Sequence, residues 1–177
     1  VWTAGHEALK RDWAEVLGSD VISAVDRLAP QWEGFLRRTN ERPNTLLHTD
    51  TRLDNFFFDG DDPIFIDWQL MVRGKGPADV AYLLGNSMEP ALQTAHWQSL
   101  LRRYHDGLVA HGVEGYTREH CLRNYRESVL YYTVGAMSLL GTFDAGNERG
   151  RAMVDAYVRR SFHQLLDSGA MSLLGSE

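Results

Sequence analysis

The sequence predicts an α+β fold, mostly α: one helical domain with a single β-hairpin embedded in it. Three observations predict it. Apolar residues recur at steps of three and four along most of the 177 residues. That period is broken once, between residues 46 and 69, by the β-prone runs Phe56-Phe57-Phe58 and Ile64-Phe65-Ile66. Between those runs stands Asp59-Gly60-Asp61-Asp62-Pro63, which is turn chemistry.

The elements follow in order. Trp2, His6, Leu9, Trp13 and Val16 form one helical stripe, ended by Gly18, with Ser19 or Asp20 placed to cap the next helix. Val21, Val25, Leu28, Trp32 and Phe35 repeat the stripe, and Pro30 predicts a kink or a fresh start within it. Residues 37–44 read as a polar loop, then comes the hairpin, which is expected to be buried. Arg73-Gly74-Lys75-Gly76-Pro77 reads as a loop, with Pro77 at a first helical position. Three longer helices complete the chain. One carries Trp97, Leu101, Tyr104 and Leu108. The next carries Leu122, Tyr125, Val129, Tyr132, Ala136 and Leu139, with Thr117 in its N-cap region. The last carries Val154, Val158, Phe162 and Leu165. Residues 141–147 form a loop, and no repeat or low-complexity tract interrupts the chain.

Composition narrows the function classes. Apolar residues at 44% and charged residues at 24% describe a globular domain with a real core. A net charge of −6 argues against nucleic acid as the main partner. No apolar run approaches the ~20 residues that span a bilayer. The single cysteine, Cys121, excludes an internal disulfide, fits a reducing cytoplasm and reads as a buried structural thiol. The chain starts at Val1, not Met, so its start need not be that of its gene.

The chemistry concentrates at the ends of the hairpin. Asn55 precedes the first strand and Asp67 ends the second, so the two lie side by side at its base. An amide oxygen and a carboxylate are hard ligands suited to Mg²⁺ that keeps waters and bridges phosphates. Asp50, five positions before Asn55, can present a third carboxylate toward that metal without binding it. Asp59, Asp61 and Asp62 are turn residues.

The spacing His48-x-Asp50-x-x-x-x-Asn55, followed by Asp67, resembles the catalytic loop and metal-binding aspartate of protein-kinase-like phosphotransferases. The "HTD", "IDWQ" and "GPADVAYLL" segments point away from protein kinases. They are similar to the aminoglycoside phosphotransferase and choline kinase group, closest to its ecdysteroid kinase-like (CHK kinase-like) relatives. The resemblance implies the C-terminal lobe of such an enzyme over residues 1–177. It implies a γ-phosphoryl transfer from ATP, or GTP in its place, to the hydroxyl of a small molecule, with Mg²⁺. Asp50 would accept or orient the substrate hydroxyl proton. Asn55 and Asp67 would hold Mg²⁺. Arg52 would face the transferring phosphoryl group, with a local salt bridge as its alternative. His48 and Asp79 would brace the catalytic loop. The chain departs from the pattern in two ways: Thr49 stands where the group more often has Gly, and there is neither a Gly-rich phosphate loop nor a strand lysine that pairs phosphates. The N-terminal nucleotide lobe is therefore expected to be missing from this chain, which alone would turn over nucleotide poorly or not at all.

Two other classes remain open at this point. A metal-dependent hydrolase would use His48, Asp50 and Asp54, with further ligands drawn from His96, His105, His111, His120 and His163. A nucleotide-binding pseudokinase would keep the fold without the reaction. Tyr131, Tyr132, Met137 and Phe143 are candidate pocket walls; the acceptor and the oligomeric state are not legible.

Overall fold

The computed structural model describes residues 2–39, 43–142 and 147–174. The expected polar loop at 37–44 and the loop at 141–147 both lie partly outside these residues, and Phe143 lies wholly outside them. The architecture is mostly helical with a small antiparallel β region, as expected of a kinase-like C-terminal lobe.

The chain opens with α1 (Trp2–Ala8), which continues through a π-helical segment, Leu9–Trp13, into α2 (Ala14–Leu17). A π turn inserts an extra residue and rotates everything after it. The predicted stripe therefore fails at its last member: Leu9 is buried and Trp13 still packs against the core, whereas Val16 is 46% exposed. At Gly5 this helix lies so close to a long later helix that a Cβ would run into the Met137 carbonyl. Gly18, at φ +83°, ends α2 as expected. Neither Ser19 nor Asp20 supplies a side-chain cap to α3 (Ser19–Leu28); Gly18 holds the cap position. Val21, Val25, Leu28 and Phe35 are buried. Pro30 sits in a 3-10 turn, Ala29–Gln31, from which α4 (Trp32–Thr39) starts anew.

The β region holds one more pairing than the sequence predicts. Strand β1 (Thr45–Leu47) pairs antiparallel with β4 (Val72–Gly74), and β2 (Phe56–Asp59) pairs with β3 (Asp62–Phe65). Opposing Asp59 and Asp62 reduce the predicted five-residue turn to the two residues Gly60 and Asp61, with Gly60 at φ +62°. The hairpin is not buried. Its strands lie on the surface, and Phe57, Phe58, Ile64 and Phe65 are all exposed.

The segment expected as the loop 73–77 also differs. Arg73 and Gly74 complete β4, and Lys75 turns inward, where its Nζ lies 2.6 Å from Glu127 Oε2. Both side chains are more than nine-tenths buried, and Arg123 Nε reaches the other Glu127 oxygen at 3.3 Å. This pair ties the end of the β region to the helical core; a charge so buried is tolerated only when it is matched.

The remaining helices are α5 (Pro77–Ser87), α6 (Pro90–Ala110), α7 (Arg118–Thr142) and α8 (Glu148–Asp167). Thr117 caps α7, accepting from the His120 amide at 3.1 Å, and Asn147 caps α8 through the Gly150 amide. The core sits among them, built on Trp97, Leu101, Tyr125, Val129, Leu130, Met137, Val158, Phe162 and Leu165. Trp97 and Tyr125 stack at 5.4 Å. Leu139 and Val154 are only half-buried. Buried Gln93 donates to Leu84 O and Met88 O, satisfying carbonyls at the end of α5. Buried Gln164 donates to Ala81 O and Tyr125 Oη, joining α8 to α5 and α7. Cys121 is buried, which pushes its thiol up to about 11. No helix among the described residues is long and apolar enough to cross a membrane.

Candidate functional site

The site is built on the eight residues between β1 and β2, and α5 holds them from one side. The backbone there is irregular, so its amides need partners from elsewhere. Asp79, in the first turn of α5, supplies them: Oδ2 accepts from the His48 amide and Oδ1 from the Thr49 amide, both at 2.8 Å. The Thr51 hydroxyl donates to the Asp79 carbonyl at 2.8 Å. One acidic residue thus holds three residues of the loop, His48 and Thr49 by their amides and Thr51 by its hydroxyl.

Thr49 has φ +66°, the left-handed region. A β-branched residue there is a true outlier and costs on the order of 1–2 kcal/mol. The substitution noted in the sequence therefore falls where glycine would be free of that cost. Thr49 offsets it in part: its hydroxyl donates to Leu70 O at 2.7 Å, tying the loop to the segment after Asp67.

His48 is buried with both ring nitrogens engaged. Nε2 faces the Ile66 carbonyl at 2.7 Å, which can only accept, so the proton belongs on Nε2. Nδ1 is then free to accept the Asp50 amide at 3.3 Å. Trp68 packs against the imidazole at 4.7 Å. A histidine held this way has no lone pair to offer a metal. Among the described residues no group of three or more His, Cys, Asp and Glu is placed to hold one.

Asp50 is 8% exposed, and both its carboxylate oxygens are engaged. Asn55 Nδ2 donates to Asp50 Oδ2 at 2.9 Å and to Asp50 O at 2.8 Å. Tyr82 Oη donates to Asp50 Oδ1 at 3.0 Å, and Arg52 Nε lies 3.5 Å from the same oxygen. The local salt bridge that was the alternative for Arg52 is thus formed, on a side chain that is otherwise half in solvent.

The hairpin register brings the remaining residues to one end. Phe56 opposes Phe65, and the Ile66 amide donates to Asn55 O at 3.1 Å, so Asp67 follows the last rung directly. Asp67 is exposed, at φ +60°, with Gln69 Nε2 donating to its Oδ2 at 3.3 Å. The amide nitrogen of Asn55 is committed to Asp50, which turns its Oδ1, the candidate ligand atom, away from that carboxylate. A neutral oxygen and an exposed carboxylate at one end of a hairpin fit a hard divalent cation completed by water and phosphate.

A model of the Ecdysteroid kinase-like family matches residues 4–113. The chain belongs to the ecdysteroid kinase-like family. The matched region of this ecdysteroid kinase-like protein runs from α1 through α6 and takes in every residue of the site; α7 and α8 lie beyond it. The family is kinase-like, within the phosphotransferase superfamily whose members generally use ATP and Mg²⁺. No curated protein and no solved structure matches the chain.

Two contributors to the site were missed in the sequence. Tyr82 stands three residues after Asp79, so both lie on one face of a helix beginning at Pro77; that spacing was a usable signal. Ser87, whose hydroxyl accepts the Leu53 amide at 3.2 Å, gave no signal, because the contact joins residues 34 positions apart.

Proposed function

We propose that this protein is the C-terminal lobe of an ATP-dependent small-molecule kinase, transferring the γ-phosphoryl group to a substrate hydroxyl. The single observation carrying this reading is the coupling of Asn55 to Asp50. One amide nitrogen, donated to both the carboxylate and the carbonyl of Asp50, links a candidate metal ligand to a candidate base as one unit.

In this reading Asp50 orients the acceptor hydroxyl and takes its proton as the oxygen attacks phosphorus. A P–O bond forms, the bond to the β-phosphate oxygen breaks, and ADP leaves. Asn55 Oδ1 and the Asp67 carboxylate would hold Mg²⁺, which when bound neutralises charge on the nucleotide phosphates. Arg52, long and half-exposed, can leave Asp50 Oδ1 for the transferring phosphoryl oxygens. His48 and Asp79 keep the loop backbone in place, so the polar groups need not reorganise during the reaction.

An N-terminal nucleotide lobe belongs to the same proposal. The exposed apolar residues Leu46, Phe57, Phe58, Ile64, Leu70, Met71 and Val72 all come from the two strand pairs and the segment joining them. Such a surface supports a lobe seated over the hairpin.

Calorimetric titration of Mg·ATP into the full-length polypeptide tests the reading, wild type beside Asp67→Ala. Micromolar binding that the substitution removes is the expected result. Equal affinity in the two proteins would take Asp67 out of the metal site. Asp50→Asn should keep nucleotide binding and lower turnover by about 10²–10⁴-fold.

A further inference from the structure

Tyr82 reaches the Asp50 carboxylate from a different element than every other donor to it. Asn55 and Arg52 belong to the loop itself, and Tyr82 belongs to α5. The three are not equivalent holds. Arg52 is long, half in solvent and at 3.5 Å, so it can swing away. Asn55, in this reading, also serves the metal. Tyr82 is braced: its ring meets Tyr132 of α7 edge-on, at 4.8 Å and 67°. Burial, then the adjacent Asp50 charge, raise the phenol above its ordinary value, so it stays a protonated donor throughout the working range.

A carboxylate offers about four lone-pair positions. Asn55 takes one on Oδ2 and Tyr82 one on Oδ1, while Arg52, at 3.5 Å, pairs its charge with Oδ1 without a hydrogen bond. When Arg52 leaves for the phosphoryl group, Asn55 and Tyr82 hold the carboxylate by one oxygen each, and Oδ1 keeps a lone pair for the acceptor hydroxyl.

We propose that Tyr82 is a positioning residue for the phosphoryl transfer, acting through Asp50 by holding its carboxylate toward the acceptor hydroxyl. With Asp79 three residues earlier, α5 then sets the loop backbone through one residue and the reacting carboxylate through another. The inference rests on the proposed function, in which Asp50 serves the transfer.

The test is a double-mutant cycle in the full-length polypeptide, using Mg·ATP with water as the acceptor and following ADP release. Tyr82→Phe keeps the ring and its contact with Tyr132, so folding and the KM for Mg·ATP should stay within about twofold while kcat falls about tenfold or more. In the Asp50→Asn background, Tyr82→Phe should lower kcat no further. A kcat for Tyr82→Phe within twofold of wild type, beside a collapsed Asp50→Asn, would remove Tyr82 and leave the function standing. An additional loss in the Asp50→Asn background would show that Tyr82 does not act through Asp50. Wild-type turnover by Asp50→Asn, or no ADP release by the wild type, would overturn both the function and the role of Tyr82.

Discussion

The segment from His48 to Asn55 and the hairpin that follows it invert the usual arrangement in opposite ways. In the first, His48, Asp50, Thr51 and Asn55 are all buried. In the second, Phe57 is 62% exposed, and Phe58, Ile64 and Phe65 lie outside with it. Polar groups can be inside because each is matched: Asp79 takes the amides, Asn55 and Tyr82 take the Asp50 oxygens, and Ile66 O takes the His48 proton. The apolar strands hydrogen-bond each other and pack Phe56 on Phe65 at 4.5 Å, yet they leave the rings of Phe57 and Phe58 exposed. One region is built to hold a few atoms still, and the other offers surface.

The difference implies that the two regions respond differently to truncation. Phe162→Ala in the helical core should cost about 3–5 kcal/mol, since it empties a fully buried ring position. Phe57→Ala on the hairpin should stay within about 0.5 kcal/mol, as surface changes do. Urea unfolding of both variants checks this, and a hairpin variant as damaged as the core variant would mean that the strands are part of the core after all.

Asp79→Ala attacks the polar region at its brace. Leaving the His48 and Thr49 amides without an acceptor should cost about 2–4 kcal/mol. Asp79→Asn, which keeps one acceptor oxygen, should cost clearly less. If denaturation midpoints put the two variants level, the bonds to the loop amides are not what Asp79 contributes.

Thr49 sharpens the comparison further, because strain and a hydrogen bond oppose each other at one residue. Thr49→Val keeps the left-handed β-branched backbone and loses the bond to Leu70 O, so it should be destabilised by about 1 kcal/mol. Thr49→Gly loses the bond and the strain together, so it should lie nearer wild type than Val does. The reverse order in thermal unfolding would mean that φ strain at this position is negligible.

The smallest effect concerns Cys121, inside α7. With its thiol pushed up to about 11, the thiolate is scarce below that pH. Alkylation by iodoacetamide at pH 8 should therefore be far slower in the folded protein than in urea. Equal rates would mean that the core around α7 opens freely.

Much of the site was legible because its residues are close in sequence and chemically specific. His48, Asp50, Asn55 and Asp67 span twenty residues, and two short strands suffice to bring their ends together. Asp79 was legible only through the resemblance, since nothing local ties it to a loop 30 residues earlier. The helices were legible where the period of three and four was regular, as along α7. They were not where the backbone changed its own period: the π turn at Leu9–Trp13 leaves no mark in composition, and it moves Val16 from the core to the surface.

By itself the sequence determined that the chain is mostly helical, where its one β-prone segment lies, and which polar residues are the candidates for chemistry. Those properties follow from local periodicity and from residue type. Only the tertiary structure decided that β1 pairs with β4, that Lys75 turns inward to Glu127, that the hairpin is exposed, and that Tyr82 bonds Asp50. Each of these joins residues far apart along the chain or depends on what does not cover a surface. A hydrophobic run says that burial is favourable, and only the packed fold says whether anything is there to bury it.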